Sequence, residues 1–252
     1  MKIAIITAMW QRPELTDFVL SYYNDLRLSL KKTVEIGLFV AGSEGNISKN
    51  IAEKNGWNYV ECPNFPVNQK FNCALRLARN FKPDAVIVVG SDDLLNANIL
   101  KYYATRKDIN SICFGFKDAY IYDILFKEFF RYKGYEFSQK VQHRAGEPVG
   151  TGRIFGRNIL DRLNWYLWDN NIEINKSLDN NCKLRLLAHG FKYETSFLRS
   201  VKGCVLALRT KTRISNYEAC IKEPLHPGKL LDLFGKTIYI NILNFIKNGN
   251  KI

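Results

Sequence analysis

No apolar run among the 252 residues is long enough to cross a bilayer, so the chain offers no candidate transmembrane helix. Histidine is scarce: His143, His189 and His226 are the whole complement, and they lie far apart. None of the six cysteines (Cys62, Cys73, Cys113, Cys182, Cys204 and Cys220) stands in a C-x-x-C pair. These absences leave no histidine–cysteine pattern for a zinc site. Most of the cysteines sit in apolar segments, which reads as buried thiols in a reducing compartment rather than disulfides, and the expected location is the cytoplasm. Low-complexity tracts and internal repeats are also missing, which excludes a disordered chain and a repeat array. The opening MKIAIITAMWQRPEL has one lysine, a short apolar run and no small-residue cleavage site; it reads as a first strand, not a signal peptide.

Acid is scarce in one part only. Residues 1–100 carry 11 Lys and Arg against 10 Asp and Glu, whereas 101–252 carry 26 against 14. The net charge of +13 therefore belongs almost wholly to the second part, and from Lys183 to Arg213 eight basic residues meet one acid, Glu194. Such a surface suits a polyanionic partner (nucleic acid, an anionic membrane face or an acidic glycan) or is a plain solvated face.

What is present is a strand–helix alternation. KIAIITA (2–8), VEIGLFVAG (34–42), WNYVEC (57–62), AVIVVG (85–90) and INSICFGF (109–116) are short apolar runs rich in β-branched and aromatic residues. Between them lie helical patterns, the first opened by Pro13 with Leu15, Phe18, Val19 and Tyr22 on one face. This predicts an α/β fold with a mainly parallel sheet flanked by helices, in one domain. Ligands of such sheets bind beyond the carboxyl ends of the strands, which places Thr7–Arg12, Ser43–Glu44 and Ser91–Asp93 around one crevice. Residues 119–132 read as extended or mixed, 133–152 as a long loop, 157–168 and 175–190 as helices, and FKYETSF and CVLALR as strands. The tail, 228–247, reads as an amphipathic helical pair broken near Gly235, set either against the sheet or on a membrane.

The most informative stretch is DAVIVVGSDDLL (84–95), a buried strand that ends in two adjacent carboxylates. Asp92 and Asp93 are suited to a hard divalent cation, Mg²⁺ or Mn²⁺, which would bridge a diphosphate. They are equally suited to capping the helix that follows.

With this strand order, the chain resembles the GT-A glycosyltransferases, especially their family 2-like branch, over about residues 2–215. SDD stands where that family carries its D-x-D motif, which implies Asp93 as the metal ligand and Asp92 beside the donor ribose or sugar; Ser91 replaces the first acid. ITAMWQRPEL resembles the loop against the nucleotide base and implicates Thr7, Ala8 and Arg12, while VAGSEGN supplies Glu44. NFPVNQKFNCAL resembles a helix start that turns Lys70 and Asn72 to the nucleotide, although Lys70 also reads as an exposed helix residue. PVGTGRIFGR resembles the glycine segment near the donor sugar, with Gly150, Gly152 and Arg153. NKSLDNNCKLRLLAHG stands where the family has its E-D motif, so Asp179 matches the catalytic base of inverting members. Leu178 replaces the preceding acid, and Asp179 reads as well as a helix N-terminal residue favoured by the dipole. ALRTKTRIS resembles a late loop over the diphosphate, with Lys211 and Arg213.

The resemblance implies a GT-A domain spanning 1–252: a nucleotide-sugar-binding half (1–107), an acceptor-side half (108–227) and a helical tail (228–252). The expected reaction moves a sugar from a nucleoside diphosphate, uridine diphosphate foremost, to a hydroxyl. A sugar-1-phosphate nucleotidyltransferase is excluded, because no G-x-G-x-R loop follows the first strand. A non-catalytic nucleic-acid-binding protein would explain the charge but not the aspartates. For the acceptor, the basic second half favours a hydroxymethylated base in bacteriophage DNA, in the host cytoplasm, with His143, Arg144, Lys183 and Arg185 tracking phosphates. The alternative is an envelope glycan or lipid.

Overall fold

The computed structural model describes residues 1–137, 139–175, 177–210 and 222–248. The chain opens with β1 (Lys2–Ala8), α1 (Pro13–Leu30), β2 (Glu35–Gly42), α2 (Asn46–Lys54), β3 (Asn58–Glu61), α3 (Val67–Ala78) and β4 (Ala85–Val88). Then come β5 (Asp93–Leu95), α4 (Ala97–Thr105), β6 (Cys113–Phe116) and a hairpin of β7 (Ala119–Asp123) and β8 (Glu128–Tyr132). Short 3-10 turns lead to β9 (Arg153–Gly156), α5 (Arg157–Arg162), α6 (Leu178–Ala188), β10 (Glu194–Ser196) and β11 (Val205–Arg209). The last elements are β12 (Lys222–Pro224), α7 (Lys229–Phe234) and α8 (Lys236–Asn248).

The larger sheet has the order β10-β6-β9-β4-β1-β2-β3, and only β9 runs against the rest. Its central strands are apolar on both faces because both are covered. Ile3 and Ile5 pack with Val19, Leu20, Tyr23 and Leu26 of α1. Ala4 and Ile6 pack with Ala74, Leu75 and Ala78 of α3. The smaller sheet, β12-β8-β7-β11-β5, is antiparallel apart from the β7–β11 pair.

Four expectations change. The fourth strand ends at Val88, not Gly90, and the chain turns so that Asp93 begins β5 in the other sheet opposite Ala207. The helix expected over 157–168 stops at Arg162, because Asn164 and Trp165 adopt left-handed φ values of 52° and 58°. Cys62 and Cys73 form a disulfide, their Cα atoms 6.7 Å apart, whereas Cys113, Cys182 and Cys204 are buried free thiols. The tail packs on α1 and beside the start of α4: Phe245 stacks on Phe18 with ring centres 4.6 Å apart, Phe234 meets Tyr22 edge-on, and Asn96 Nδ2 donates to Leu233 O at 3.0 Å. Among the described residues no helix is long and apolar enough to cross a membrane.

Candidate active site

β1 lies between β2 and β4 and runs parallel to both, so the loops that leave their carboxyl ends meet. Three side chains tie these loops together. Arg12, left-handed at φ 51° just before α1, donates from Nη1 to Asp92 Oδ2 at 2.9 Å and from Nη2 to Ser91 Oγ at 3.0 Å. Glu44 Oε2 accepts the Gln11 amide at 3.0 Å. Lys70 reaches up from α3 and donates to Met9 O at 2.6 Å, Ser43 Oγ at 2.8 Å and Asn64 Oδ1 at 3.0 Å. Its ammonium is buried, which pushes its pKa down to about 8 against the opposing fields of Glu44 and Glu61. Thr7 is buried beneath this rim, its hydroxyl without a hydrogen-bond partner among the described residues, and Ala8 is half-buried.

Asp93 is 8 % exposed. Burial, and then the neighbouring Asp92 carboxylate, push it up to about 7. Its Oδ2 accepts the Gly90 amide at 2.9 Å. A Cβ at Gly90 would stand 2.5 Å from that same oxygen and 2.9 Å from Asp92 Oδ1, so the turn that gathers both carboxylates needs glycine. Neither aspartate caps α4: the residue before that helix is Asn96, and no side chain caps the helix start.

A second cluster adjoins the first through residues 150–153. The Gly152 amide donates to Val88 O at 2.8 Å, tying the segment to the end of β4. A Cβ on Gly150 would lie 3.0 Å from both oxygens of Asp179, so the carboxylate rests against this glycine. Arg153, 3 % exposed, donates to Asp179 Oδ1 at 2.7 Å, Gly150 O at 2.8 Å and Tyr193 Oη at 3.0 Å. Arg144 lies 3.7 Å from Asp179 Oδ2, stacks over the Tyr135 ring and donates to Glu147 at 2.8 Å. Lys183 donates to Glu147 at 2.6 Å.

The structure thus gathers Thr7, Ala8, Arg12, Glu44, Lys70, Asp92 and Asp93 at one rim, and Gly150, Gly152, Arg153, Asp179, Arg144 and Lys183 next to it. Asn72 is elsewhere engaged: its amide donates to Trp168 O at 2.9 Å and accepts the Trp168 amide at 3.4 Å, anchoring the loop after α5. Arg185 points its guanidinium at the carbonyls of Tyr166, 2.6 Å, and Leu163, 3.3 Å. His143 is exposed. Lys211 and Arg213 lie outside the described residues. Sequence reasoning set Ser43 and Trp10 in the crevice loops without giving either a role, and it missed Asn64, Glu147 and Phe65, whose exposed ring pairs with Trp10 at the rim, centres 5.8 Å apart. Only Glu147 had a readable signal, standing three residues after Arg144 in HRAGEPVG.

Strand order, the lone reversed strand and a crevice at the carboxyl ends of β1, β2 and β4 define the class: this is a GT-A, Rossmann-like fold. No protein-family model matches the chain, and no curated protein sequence does. Among solved structures it is similar to S. aureus TarS 1–349 in complex with UDP-GlcNAc, at a TM-score of 0.56 and 14 % identity, over 92 % of this chain and 64 % of that one. S. aureus TarS in a longer form matches at a TM-score of 0.51 and 13 % identity, over 92 % of this chain and 38 % of that one. The chain therefore spans less than two thirds of the length of these neighbours.

Proposed function

We propose that this protein is a glycosyltransferase that takes a sugar from a nucleoside diphosphate, uridine diphosphate foremost, and passes it to a hydroxyl. One observation carries the proposal: Arg12, Lys70, Asp92 and Asp93 converge at the carboxyl ends of adjacent parallel strands. The fold likeness supports it, since the TarS structure holds UDP-GlcNAc.

Mn²⁺ or Mg²⁺ fits the residues present. Burial and the Asp92 carboxylate push Asp93 toward its neutral acid, an effect that a nearby cation would reverse. Among the described residues no three His, Cys, Asp or Glu side chains form a ready metal cluster; Mg²⁺ commonly takes one or two carboxylates and completes its shell with phosphate oxygens and water. Asp93, with Asp92, would hold the ion, which when bound neutralises the departing diphosphate. Arg12 orients Asp92 and adds positive charge at the same rim. In an inverting transfer Asp179 would take the acceptor proton; Arg153 hydrogen-bonds Oδ1, so that proton would go to Oδ2, which has Arg144 3.7 Å away.

The test is calorimetric titration of UDP and UDP-sugars with and without Mn²⁺, beside turnover of Asp93→Ala. Binding should strengthen with metal, and the variant should fold normally yet lose turnover by at least about a hundredfold, as expected for loss of a principal charge-stabilising group. Equal nucleotide binding with and without metal would remove the cation from the mechanism.

For the acceptor, a hydroxymethylated DNA base rests on the net charge of the second part of the chain, 26 basic against 14 acidic residues. The internal engagement of Arg144, Lys183 and Arg185 takes away three of the four side chains named for phosphate tracking. Any DNA track must therefore use other surface cations.

A further inference from the structure

Lys70 differs from the other basic groups of the site. An ammonium has three N–H donors, and all three are matched by acceptors from three separate segments: Met9 O after β1, Ser43 Oγ after β2 and Asn64 Oδ1 before α3. Each acceptor is neutral. The side chain is 2 % exposed, so its donors have no capacity left for a ligand phosphate. The segments it joins are those that frame the nucleotide end of the crevice, and their backbones are otherwise linked by few bonds, such as Met9 N to Ala41 O and Cys62 N to Gly42 O.

We propose that Lys70 is a positioning residue: an internal ammonium that locks the three loops around the nucleotide end into one arrangement and favours an anionic ligand through its charge without touching it. The second part of this rests on the nucleotide-sugar reading above; the first does not. Of the titratable groups on the packed elements, Glu44 and Glu61 act on the ammonium and favour its charged form. Arg12 faces Asp92, and the Tyr59 hydroxyl faces Glu61. Burial outweighs both glutamates, so the free protein releases the Lys70 proton near pH 8. A diphosphate in the crevice would hold that proton on. Asp93 titrates lower, near pH 7, so the Lys70 contribution is the difference between wild type and Lys70→Met; below about pH 8 that difference should be flat, and above it the complex takes up a proton that the free protein has lost, so the difference falls toward a limiting slope of about tenfold per pH unit.

Two measurements test this on the full chain. In the first, amide hydrogen exchange is compared for wild type, Ser43→Ala and Asn64→Ala, which each remove one acceptor at a partly exposed position and leave the helix intact. A lock predicts that either change raises exchange in all three segments, 9–12, 43–46 and 63–66, while β4 keeps its protection. Loosening confined to the mutated segment overturns the lock. In the second, UDP binding is measured from pH 7 to 9 in two buffers of different ionisation enthalpy, for wild type and Lys70→Met. Above about pH 8 wild type should take up more protons than the variant; equal proton uptake in the two overturns the charge role. Failure of wild type to bind UDP at any pH sinks the nucleotide reading, and the exchange result still decides the lock.

Discussion

Asp179 sits between two arginines, and this decides what its loss will do. Arg153 is almost fully buried and its charge is answered there by the Asp179 carboxylate at 2.7 Å. Removing that partner strands a buried guanidinium, a change that costs more than deleting a solvated surface pair. Asp179 is itself 31 % exposed at its side chain, so water softens the loss. Asp179→Ala should therefore destabilise the protein by about 1.5–3 kcal/mol, the range for hydrogen bonds to charged groups. Asp179→Asn retains an oxygen acceptor for Arg153 and should cost less. Thermal unfolding gives the stability difference and turnover gives the chemistry. If Asp179 serves as the base, both variants lose turnover alike whatever their stability; if it only anchors Arg153, the asparagine variant recovers most of it. The position of Asp179 at a helix start was legible in LDNN, but its engagement by Arg153, 26 residues away, was not, because single-sequence patterns carry no long-range pairing.

At the level of elements, legibility followed burial pattern. β1, β2 and β4 read as continuous apolar runs because helices cover both faces of a parallel sheet. The smaller sheet was read only in part, with 119–132 as extended or mixed and CVLALR as a strand, and without a second sheet being drawn from them. β5 and β12 have three residues each, too short for a period to register, and β5 is made of the very residues, Asp93–Leu95, that looked like the end of a strand. The tail was legible as two helices broken at Gly235, since the apolar spacing and the glycine agree, yet the surface it covers was not. Ile242 is fully buried and Phe245 stacks on Phe18 of α1, so α8 belongs to the core of the domain. Ile242→Ala should lower stability by about 2–5 kcal/mol, the usual cost of emptying a buried aliphatic site. Urea denaturation of the full chain measures it. A change below about 0.5 kcal/mol, the scale of surface substitutions, would mean that α8 contributes little to the fold.

Across the whole molecule, the excess of positive charge is legible from the sequence, but its use is not. A cation engaged inside the protein neither attracts DNA nor releases counterions from it. Lys183 is held by Glu147, and Arg185 by two backbone carbonyls, whereas Lys192, Arg199 and Lys202 are exposed. If duplex DNA is the acceptor, its affinity should fall steeply with salt, with a slope of about 0.9 per phosphate contact. Lys183→Ala and Arg185→Ala should leave that slope unchanged, while Lys192→Ala and Lys202→Ala should flatten it. An envelope acceptor predicts instead that the protein binds anionic vesicles at physiological salt and ignores DNA, hydroxymethylated or not. The two outcomes separate in one experiment, co-sedimentation with vesicles against gel shift with duplex at matched ionic strength. Vesicle binding without DNA binding removes DNA as acceptor. Donor binding would stand through that result, because Arg12, Lys70, Asp92 and Asp93 all lie in the first hundred residues, where the charge is nearly balanced, 11 basic against 10 acidic. The proposed phosphate rim of Arg12, Lys70, Asp92 and Asp93 and the basic surface thus lie in different parts of the chain, and each proposal can fail without the other.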